Sequence, residues 1–385
     1  MADSSKTPPL RVCHLTTAHG RKDVRVYQKE CISLAKAGYE VVWIVNDGLG
    51  FEETDKITTL DLGGCATRLC RFAWALPRSL FKALSIKAEV YHFHDPDLLL
   101  VGLILSAIGK NVVYDVHEDM PSDMHSKNWI PTVMRRPLSF ILANVEKFAS
   151  RRFAACVCAT DHINQRFKSY GAKTILLRNY PTSPVRALNC KVKSSVTIKE
   201  DEFKLCYAGN IGEERGIREK MQVASRSKTR LTLMGPFRSG KLLEELSSSN
   251  EWKWIDYLGV VDKQSVEEQY KKCSAGLVLL QRGYGYEEAL PVKMFEYMMF
   301  KLPVICSDFP LWRNIVEENN CGVLVDPANI EQVVQAVIGL KENRITSLEM
   351  GKLGSAAVNN KYNWLTESEL LLELYKSFAL KCDTA

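Results

Sequence analysis

Two glutamates, Glu288 and Glu296, stand with seven residues between them in Glu288-Ala289-Leu290-Pro291-Val292-Lys293-Met294-Phe295-Glu296. Carboxylates at a fixed spacing do chemistry when the chain sets them beside a ligand, and the flanking sequence does so here. The short apolar run Ala275-Gly276-Leu277-Val278-Leu279-Leu280 predicts a buried strand. The polar, glycine-containing stretch Gln281 to Tyr286 predicts a loop. Pro291 sits where a helix begins, because its missing N–H costs nothing in a first turn. Glu288 is therefore expected in a loop at a strand's carboxyl end, and Glu296 one to two turns into the next helix. Open α/β sheets bind ligands at that edge, where helix N-terminal amides face phosphate.

His117 follows the strand-like run Val112-Val113-Tyr114-Asp115-Val116. A neutral imidazole there can hydrogen-bond a hydroxyl or a phosphate, and Glu118-Asp119 beside it favour a charged, oriented ring. A histidine satisfied within its own loop is the competing reading. In His92-Phe93-His94-Asp95-Pro96-Asp97, His94 and Asp97 are candidates to reach the same edge. Asp95-x-Asp97 is too short a pattern to argue for a metal, and Asp97 suits a helix N-cap. Between Thr16 and Arg25 the cations have two readings. Arg25 faces phosphate or an acidic acceptor, or it pairs with Asp23.

These residues need strands and helices in alternation to hold them, and the chain supplies that grammar twice. Strands are expected at Arg11–Thr16, Tyr39–Val45, Val90–Phe93, Val112–Val116 and Ala154–Ala159, with helices at Val26–Ala37, Asp97–Ile108 and from about Pro131 to Phe153. After a Ser-, Lys- and Pro-rich stretch, strands are expected again at Phe203–Ala208, Arg230–Met234, Trp254–Leu258, Ala275–Leu280, Val304–Ser307 and Gly322–Val325. The expected organisation is a first domain over 1–182, a linker over 183–202, a second domain over 203–362 and a terminal segment over 363–385. Both domains read as α/β, Rossmann-like and doubly wound around a parallel sheet.

At 385 residues the chain exceeds one ordinary core, which fits two domains. Its 51 Lys and Arg against 45 Asp and Glu give a net charge of +6, too mild to argue for nucleic acid. The 12 cysteines include no Cys-x-x-Cys, and none sits with histidine at zinc spacing, so they read as free thiols in a reducing cytoplasm. The first ten residues lack the apolar core of a signal peptide, and the longest apolar run, Leu98 to Ile108, is about half a bilayer span.

The stretch from Glu288 through Pro291-Val292-Lys293-Met294-Phe295-Glu296-Tyr297, Leu302-Pro303-Val304-Ile305-Cys306-Ser307-Asp308 and Cys321-Gly322-Val323-Leu324-Val325-Asp326-Pro327 resembles the retaining family-4 glycosyltransferases of the GT-B fold. It is most similar to bacterial enzymes that build surface polysaccharide. The resemblance implies two Rossmann-like domains facing a central cleft, and a terminal helix, about Thr366 to Leu380, that crosses back onto the first domain. It implies a nucleotide-sugar co-substrate, UDP-linked, with no cofactor and no metal. The implied acceptor is a growing glycan or a polyprenyl-linked carrier.

The resemblance also implies roles. Glu296 would hold the donor's ribose hydroxyls, a diol that an ionised carboxylate suits. Glu288 would position the transferred sugar and stabilise oxocarbenium-like charge without acting as a nucleophile. Arg215 and Lys293 would face the departing diphosphate, the other reading of Lys293 being a helix-face cation or a salt bridge to Glu296. In Tyr207-Ala208-Gly209-Asn210-Ile211-Gly212-Glu213-Glu214-Arg215-Gly216, Asn210 stands where the family commonly has Arg and Arg215 where it commonly has Lys. Gly209, Asn210, Pro291 and Val292 complete the implied donor site. His117 matches the family's histidine facing the donor sugar, and Arg25 matches an Asp-x-Arg pattern of one subgroup. Lys301 takes a turn position where the family has glycine.

From Lys127 to Arg152 there are six cations and one anion. The apolar stripe Met134, Leu138, Ile141, Val145 and Phe148 is expected to face the sheet, leaving the basic side to meet an anionic membrane. The resulting expectation is a cytoplasmic glycosyltransferase, peripheral on a membrane, acting on a lipid-linked or polysaccharide acceptor. The alternatives are an inactive nucleotide-sugar-binding subunit and an NAD-dependent oxidoreductase. The second needs Gly-x-Gly-x-x-Gly after the first strand, whereas Gly48-x-Gly50 follows the second.

Overall fold

The computed structural model describes residues 10–382 except 55, 66, 118, 122, 123, 125–129, 183–202 and 284. The expected linker over 183–202, together with Glu118, Lys127 and the N-terminal stretch through residue 9, lies outside the described residues. The chain forms two compact units, Met1–Asn179 with Trp364–Ala385, and Tyr180–Asn363.

The first unit holds β1 Arg11–Leu15, β2 Glu40–Val45, β3 Glu52–Thr54, β4 Ile57–Asp61, β5 Val90–Phe93, β6 Asn111–Val116, β7 Ala155–Cys158 and β8 Thr174–Leu176. They form one sheet in the order β3-β4-β2-β1-β5-β6-β7-β8, parallel except for β3 against β4. Both faces of its central strands are buried, so β1, β2, β5 and β6 read as nearly continuous apolar runs. On one face Cys13, Leu15, Tyr91 and Phe93 pack together. On the other, Val12, Val90 and Val113 meet Trp364, Leu371, Leu374, Tyr375 and Phe378 of the helix Trp364–Cys382. Each of those large side chains contributes about 1.5–3 kcal/mol by leaving water.

The second unit adds β9 Lys204–Ala208, β10 Arg230–Met234, β11 Ile255–Tyr257, β12 Ala275–Val278, β13 Val304–Ser307 and β14 Gly322–Val325. They form an all-parallel sheet in the order β11-β10-β9-β12-β13-β14. In both units the strand order turns back on itself, between β1 and β5 in the first and between β9 and β12 in the second. The loops leaving those strands diverge at the carboxyl edge, the usual ligand position in such sheets.

Three strands of the first unit, β3, β4 and β8, escaped the sequence pattern, being edge or near-edge elements of three to five residues. The thiols also differ from expectation. Among the described residues eight cysteines are free and buried, but Cys65 and Cys70 are joined as a disulfide. Lys301 sits at φ +61, in the left-handed region that a glycine at this turn would enter without strain.

The largest correction concerns the helix Thr132–Ser150. Its stripe does not face the sheet: Met134, Ile141, Val145 and Phe148 are all exposed, as are Val133 and Phe140. The helix buries Glu146, Ala149 and Ser150 instead. Glu146 accepts from Arg166 Nη1 at 2.7 Å and from the Tyr114 hydroxyl at 3.3 Å. A polar anchor holds this helix, and the apolar stripe turns outward.

Candidate functional site

In the second unit the loop after β9 begins at Gly209, whose φ of +136 is a conformation L-residues rarely adopt. Lys293 lies directly over it, since a Cβ added at Gly209 would meet Lys293 Cε at 2.8 Å. Gly235 packs against the same turn, where a Cβ would clash with the Gly209 carbonyl. Asn210 is exposed, and its carbonyl accepts from the Tyr207 hydroxyl at 2.9 Å. A 3-10 turn, Glu213–Arg215, follows. The Arg215 guanidinium stacks over Tyr286, 5.1 Å from the ring centroid.

The segment after β12 closes the other side. Glu288 ends a 3-10 turn, Tyr286–Glu288, and is exposed. Glu287 is engaged locally, accepting from the Gly283 N–H at 3.0 Å. Trp312 Nε1 donates to the Ala289 carbonyl at 2.7 Å and pins the loop from below. The helix Val292–Met299 starts one residue later than expected, with Pro291 as its N-cap residue. Glu296 lies one turn in, accepting from the Tyr270 hydroxyl at 3.1 Å, with Lys293 Nζ 3.6 Å away. The two loops at the β9/β12 switch thus bring Gly209, Arg215, Lys293, Glu296 and Glu288 to one edge of this unit.

Sequence reasoning missed Lys220, which ties these loops together. It is fully buried in the helix Ile217–Arg226. Its Nζ donates to the Leu279 carbonyl at 2.9 Å and to the Arg215 carbonyl, and it sits 4.4 Å from the Tyr207 ring centroid. Burial pushes its pKa down to about 7. The available signal was its spacing, because Lys220 falls on the helix face of Ile217, Met221 and Ala224.

In the first unit the polar residues continue the alternation of the strands. Val12 and His14, Val90, His92 and His94, and Val113, Asp115 and His117 leave the sheet on one side. Asp115 is fully buried, and Arg25 grips both its oxygens, Nε at 2.9 Å and Nη2 at 2.7 Å. Burial alone would raise the Asp115 pKa, but Arg25 and the bonds from His117 and His94 hold it well below the usual carboxylate range. Arg25 also donates to the Leu177 carbonyl at 3.1 Å. Its guanidinium is therefore engaged inside the unit. The reading of Arg25 as a phosphate or acceptor ligand gives way to that of a buried structural cation. The alternative pairing with Asp23 takes another form, since Asp23 Oδ1 accepts the Arg25 backbone N–H at 2.8 Å.

A cavity of about 540 Å³ opens at the β1/β5 switch of this unit. Its polar end carries His19, Asp95, Asp97, His117 and Arg71, and its walls include Phe72, Leu99, Leu100, Met124, Leu142 and Val145. His117 Nε2 and His19 Nε2 lie 3.1 Å apart. His19 is pulled down by burial and up more strongly by Asp23, Asp95 and Asp115, so its pKa is raised. Asp119, expected to charge His117, instead lies 3.2 Å from His162 and 3.4 Å from Arg166. His94 contributes to the cavity wall yet is fully buried, bonded to Asp115 at 3.0 Å and His14 at 2.9 Å.

Asp95-x-Asp97 is occupied otherwise. Asp95 Oδ2 accepts from Thr16 Oγ1 at 2.7 Å and from the Thr17 N–H at 2.6 Å. It also replaces Asp97 as the residue before the helical turn Pro96–Leu98. The Gly48-x-Gly50 amides bind Asp61 at 3.1 and 3.0 Å, which closes that loop on a carboxylate where a dinucleotide phosphate would have to sit.

Two family profiles match the chain: "Glycosyl transferases group 1" over residues 191–357 and "Glycosyltransferase Family 4" over residues 24–178. No curated protein sequence matches. Among solved structures, sucrose-phosphate synthase from Thermosynechococcus elongatus is similar with a TM-score of 0.74 at 19% identity, covering 97% of this chain and 100% of that one. HepE of Anabaena, solved with UDP and glucose, aligns with a TM-score of 0.66 at 13% identity, over 96% and 100% of the two chains. The trehalose 6-phosphate synthase of Burkholderia multivorans aligns with a TM-score of 0.67 at 13% identity, over 98% and 100%.

Proposed function

The two profiles between them span most of the chain, which belongs to the family-4-like glycosyltransferases of the GT-B fold, and from this we propose that it transfers a hexose or N-acetylhexosamine from a UDP-linked donor, with retention, to a lipid-linked acceptor of surface-polysaccharide synthesis. The observation that carries the donor half is the edge of the second unit where Lys293 covers Gly209 and Tyr270 holds Glu296. Glu296 receives the ribose diol. Arg215 and Lys293 meet the diphosphate, whose negative charge grows as the glycosidic bond breaks, so they lower the barrier most where that charge is greatest. Glu288, exposed and two residues from the Tyr286 ring that carries Arg215, positions the sugar and stabilises its developing positive charge. With two cations at the leaving group, transfer needs no divalent ion there. The UDP bound by HepE supports the uridine donor.

The acceptor half rests on the cavity of the first unit, polar at His117 and His19 and apolar along its walls. That division suits a hydroxylated or phosphorylated head on a hydrocarbon chain. The outward stripe of the helix Thr132–Ser150 and its basic residues add a surface that suits an anionic bilayer. No helix among the described residues is long and apolar enough to cross a membrane. The chain would meet its acceptor by lying on the lipid surface.

The test is product analysis with UDP-hexoses and a short polyprenyl phosphate or diphosphate sugar, with and without EDTA. Release of UDP with an axial product linkage from an axial donor supports the reading. An inverted anomer, or a rate that vanishes with EDTA and returns with Mg²⁺ or Mn²⁺, overturns the mechanism. Equal turnover on water-soluble sugars lacking a hydrocarbon chain overturns the acceptor.

A further inference from the structure

Beneath the cavity of the first unit lies a cluster that the glycosyl-transfer reading does not use. His14 comes from β1, His92 and His94 from β5, and Glu30 from the helical turn Val26–Cys31. His14 and His92 are register partners on adjacent parallel strands, and His94 follows on the same face. All four are fully buried, and ligand-capable atoms of the four lie within 4.8 Å of one another.

The hydrogen bonds assign the ring nitrogens in sequence. The Asp115 carboxylate accepts from His94 Nδ1 at 3.0 Å, so the neutral His94 ring turns the lone pair of Nε2 toward the cluster. His14 Nδ1 lies 2.9 Å from that nitrogen, and Tyr375 Oη is 3.2 Å from His14 Nε2 and 2.9 Å from His92 Nδ1. The chain of partners then ends. His92 Nε2 and both oxygens of Glu30 are buried without a hydrogen-bond partner. Arg25 pairs closely with Asp115 and stands 3.4 Å from Glu30 Oε1, so one guanidinium serves two carboxylates.

We propose that His14, His92, His94 and Glu30 form a structural binding site for a divalent first-row cation of the zinc class. Three imidazoles and one carboxylate are a borderline-soft donor set of the number such an ion takes. Asp115 behind His94 is the outer carboxylate that orients a ligating histidine. Bonds of about 2.0–2.2 Å in a tetrahedron set ligand atoms about 3.3–3.6 Å apart, so the widest pairs, up to 4.8 Å, must close and His14 Nδ1 and His94 Nε2, at 2.9 Å, must part slightly. Ligation by His14 Nδ1 would require its ring proton, now directed at His94 Nε2, to move to His14 Nε2, so that the ring stays a neutral imidazole. The ion would tie β1, β5 and the Val26–Cys31 turn together below the cavity floor, and it takes no part in transfer at the diphosphate.

The experiment is elemental analysis of the full chain purified without chelator or affinity metal, followed by Zn²⁺ and Co²⁺ titration. The expected result is uptake of about one equivalent, a visible Co²⁺ spectrum of four-coordinate N/O ligation and a melting temperature that rises with added Zn²⁺. His92→Ala and Glu30→Gln should each cut uptake at least tenfold, while His162→Ala, outside the cluster, keeps it. X-ray absorption of the zinc-loaded wild type reads the ligands even if both variants fail to fold. Absence of metal as purified with no uptake, sulfur ligation, or unchanged uptake in folded His92→Ala and Glu30→Gln overturns the site.

Discussion

Lys293 lies across Gly209, so that a methyl group on the glycine would sit 2.8 Å from the lysine's Cε. Gly209 comes from the loop after β9 and Lys293 from the first turn of the helix Val292–Met299, on opposite sides of the β9/β12 switch. The first supplies a backbone turn at φ +136 that can approach a phosphate closely, and the second supplies the charge above it. A glycine and a lysine far apart in sequence thus pack against each other, the contact on which the proposed diphosphate site rests.

Gly209→Ala should displace Lys293 and strain the turn, lowering UDP affinity by about tenfold, which corresponds to about 1.4 kcal/mol. Lys293→Ala should do the same. If the glycine acts through the lysine, the double variant should lose much less than the product of the two effects. Titration calorimetry with UDP on all four proteins checks this, and strictly multiplicative losses would mean the pair is not a unit.

Glu296 and Glu288 should separate kinetically. Glu296 is already held by Tyr270 at 3.1 Å, and a ribose contact is made equally in ground and transition states. Glu296→Ala should therefore raise KM for the donor with a smaller change in kcat. Glu288 has charge to stabilise only as the bond breaks, so Glu288→Ala should lower kcat by about 10²–10³ and leave UDP affinity nearly intact. Equal losses of UDP affinity in both variants would remove the distinction.

The strand-loop-helix unit that carries Glu288 and Glu296 was legible because its signals are local. Val278, Pro291 and the spacing from Glu288 to Glu296 lie within one strand-loop-helix unit, and period and proline chemistry place them. The six strands of the second sheet were legible for the same reason, as short apolar runs between turns. The first unit's interior was not. Arg25 and Asp115 are 90 residues apart, and no local pattern says that one will be clamped by the other. The helix Thr132–Ser150 misled because amphipathic spacing identifies an apolar face without saying what covers it. Here Glu146 and Arg166 decide which side is buried.

Lys220 gives the second unit a pH signature. Burial lowers its folded pKa to about 7, from about 10.4 for a free lysine. Between those values the unfolded chain holds a proton that the folded one lacks, so stability rises with pH through this window. Below about pH 7 both states are protonated and the penalty of the buried charge is constant. Between pH 7.5 and 9.5 this group should add about 1.4 kcal/mol per pH unit to the unfolding free energy. Lys220→Met should flatten that slope in urea titrations of the second unit's transition. The same slope in wild type and variant would show that the ammonium stays charged in the fold.

Attachment to a membrane should need both halves of the outward helix face. Phe140 is 72% exposed and Ile141 57% exposed, and Arg136 is exposed beside them. The Arg152 guanidinium stacks 3.5 Å from the Phe148 ring centroid, so a cation and an apolar side chain are offered together. Each cation near an anionic surface is worth about 1 kcal/mol and is screened within a Debye length. Vesicles containing phosphatidylserine should retain the protein at low salt and release part of it as salt rises, with the apolar contact supporting the remainder. Arg136→Glu with Arg152→Glu should weaken binding by about 10²-fold or more and remove the salt dependence. Phe140→Ser with Ile141→Ser should weaken binding at all salt concentrations while leaving the salt dependence in place. UDP affinity should be unchanged in both variants, because the donor edge lies in the other unit. If the wild type ignores anionic vesicles at low salt, the exposed stripe is covered by something other than lipid.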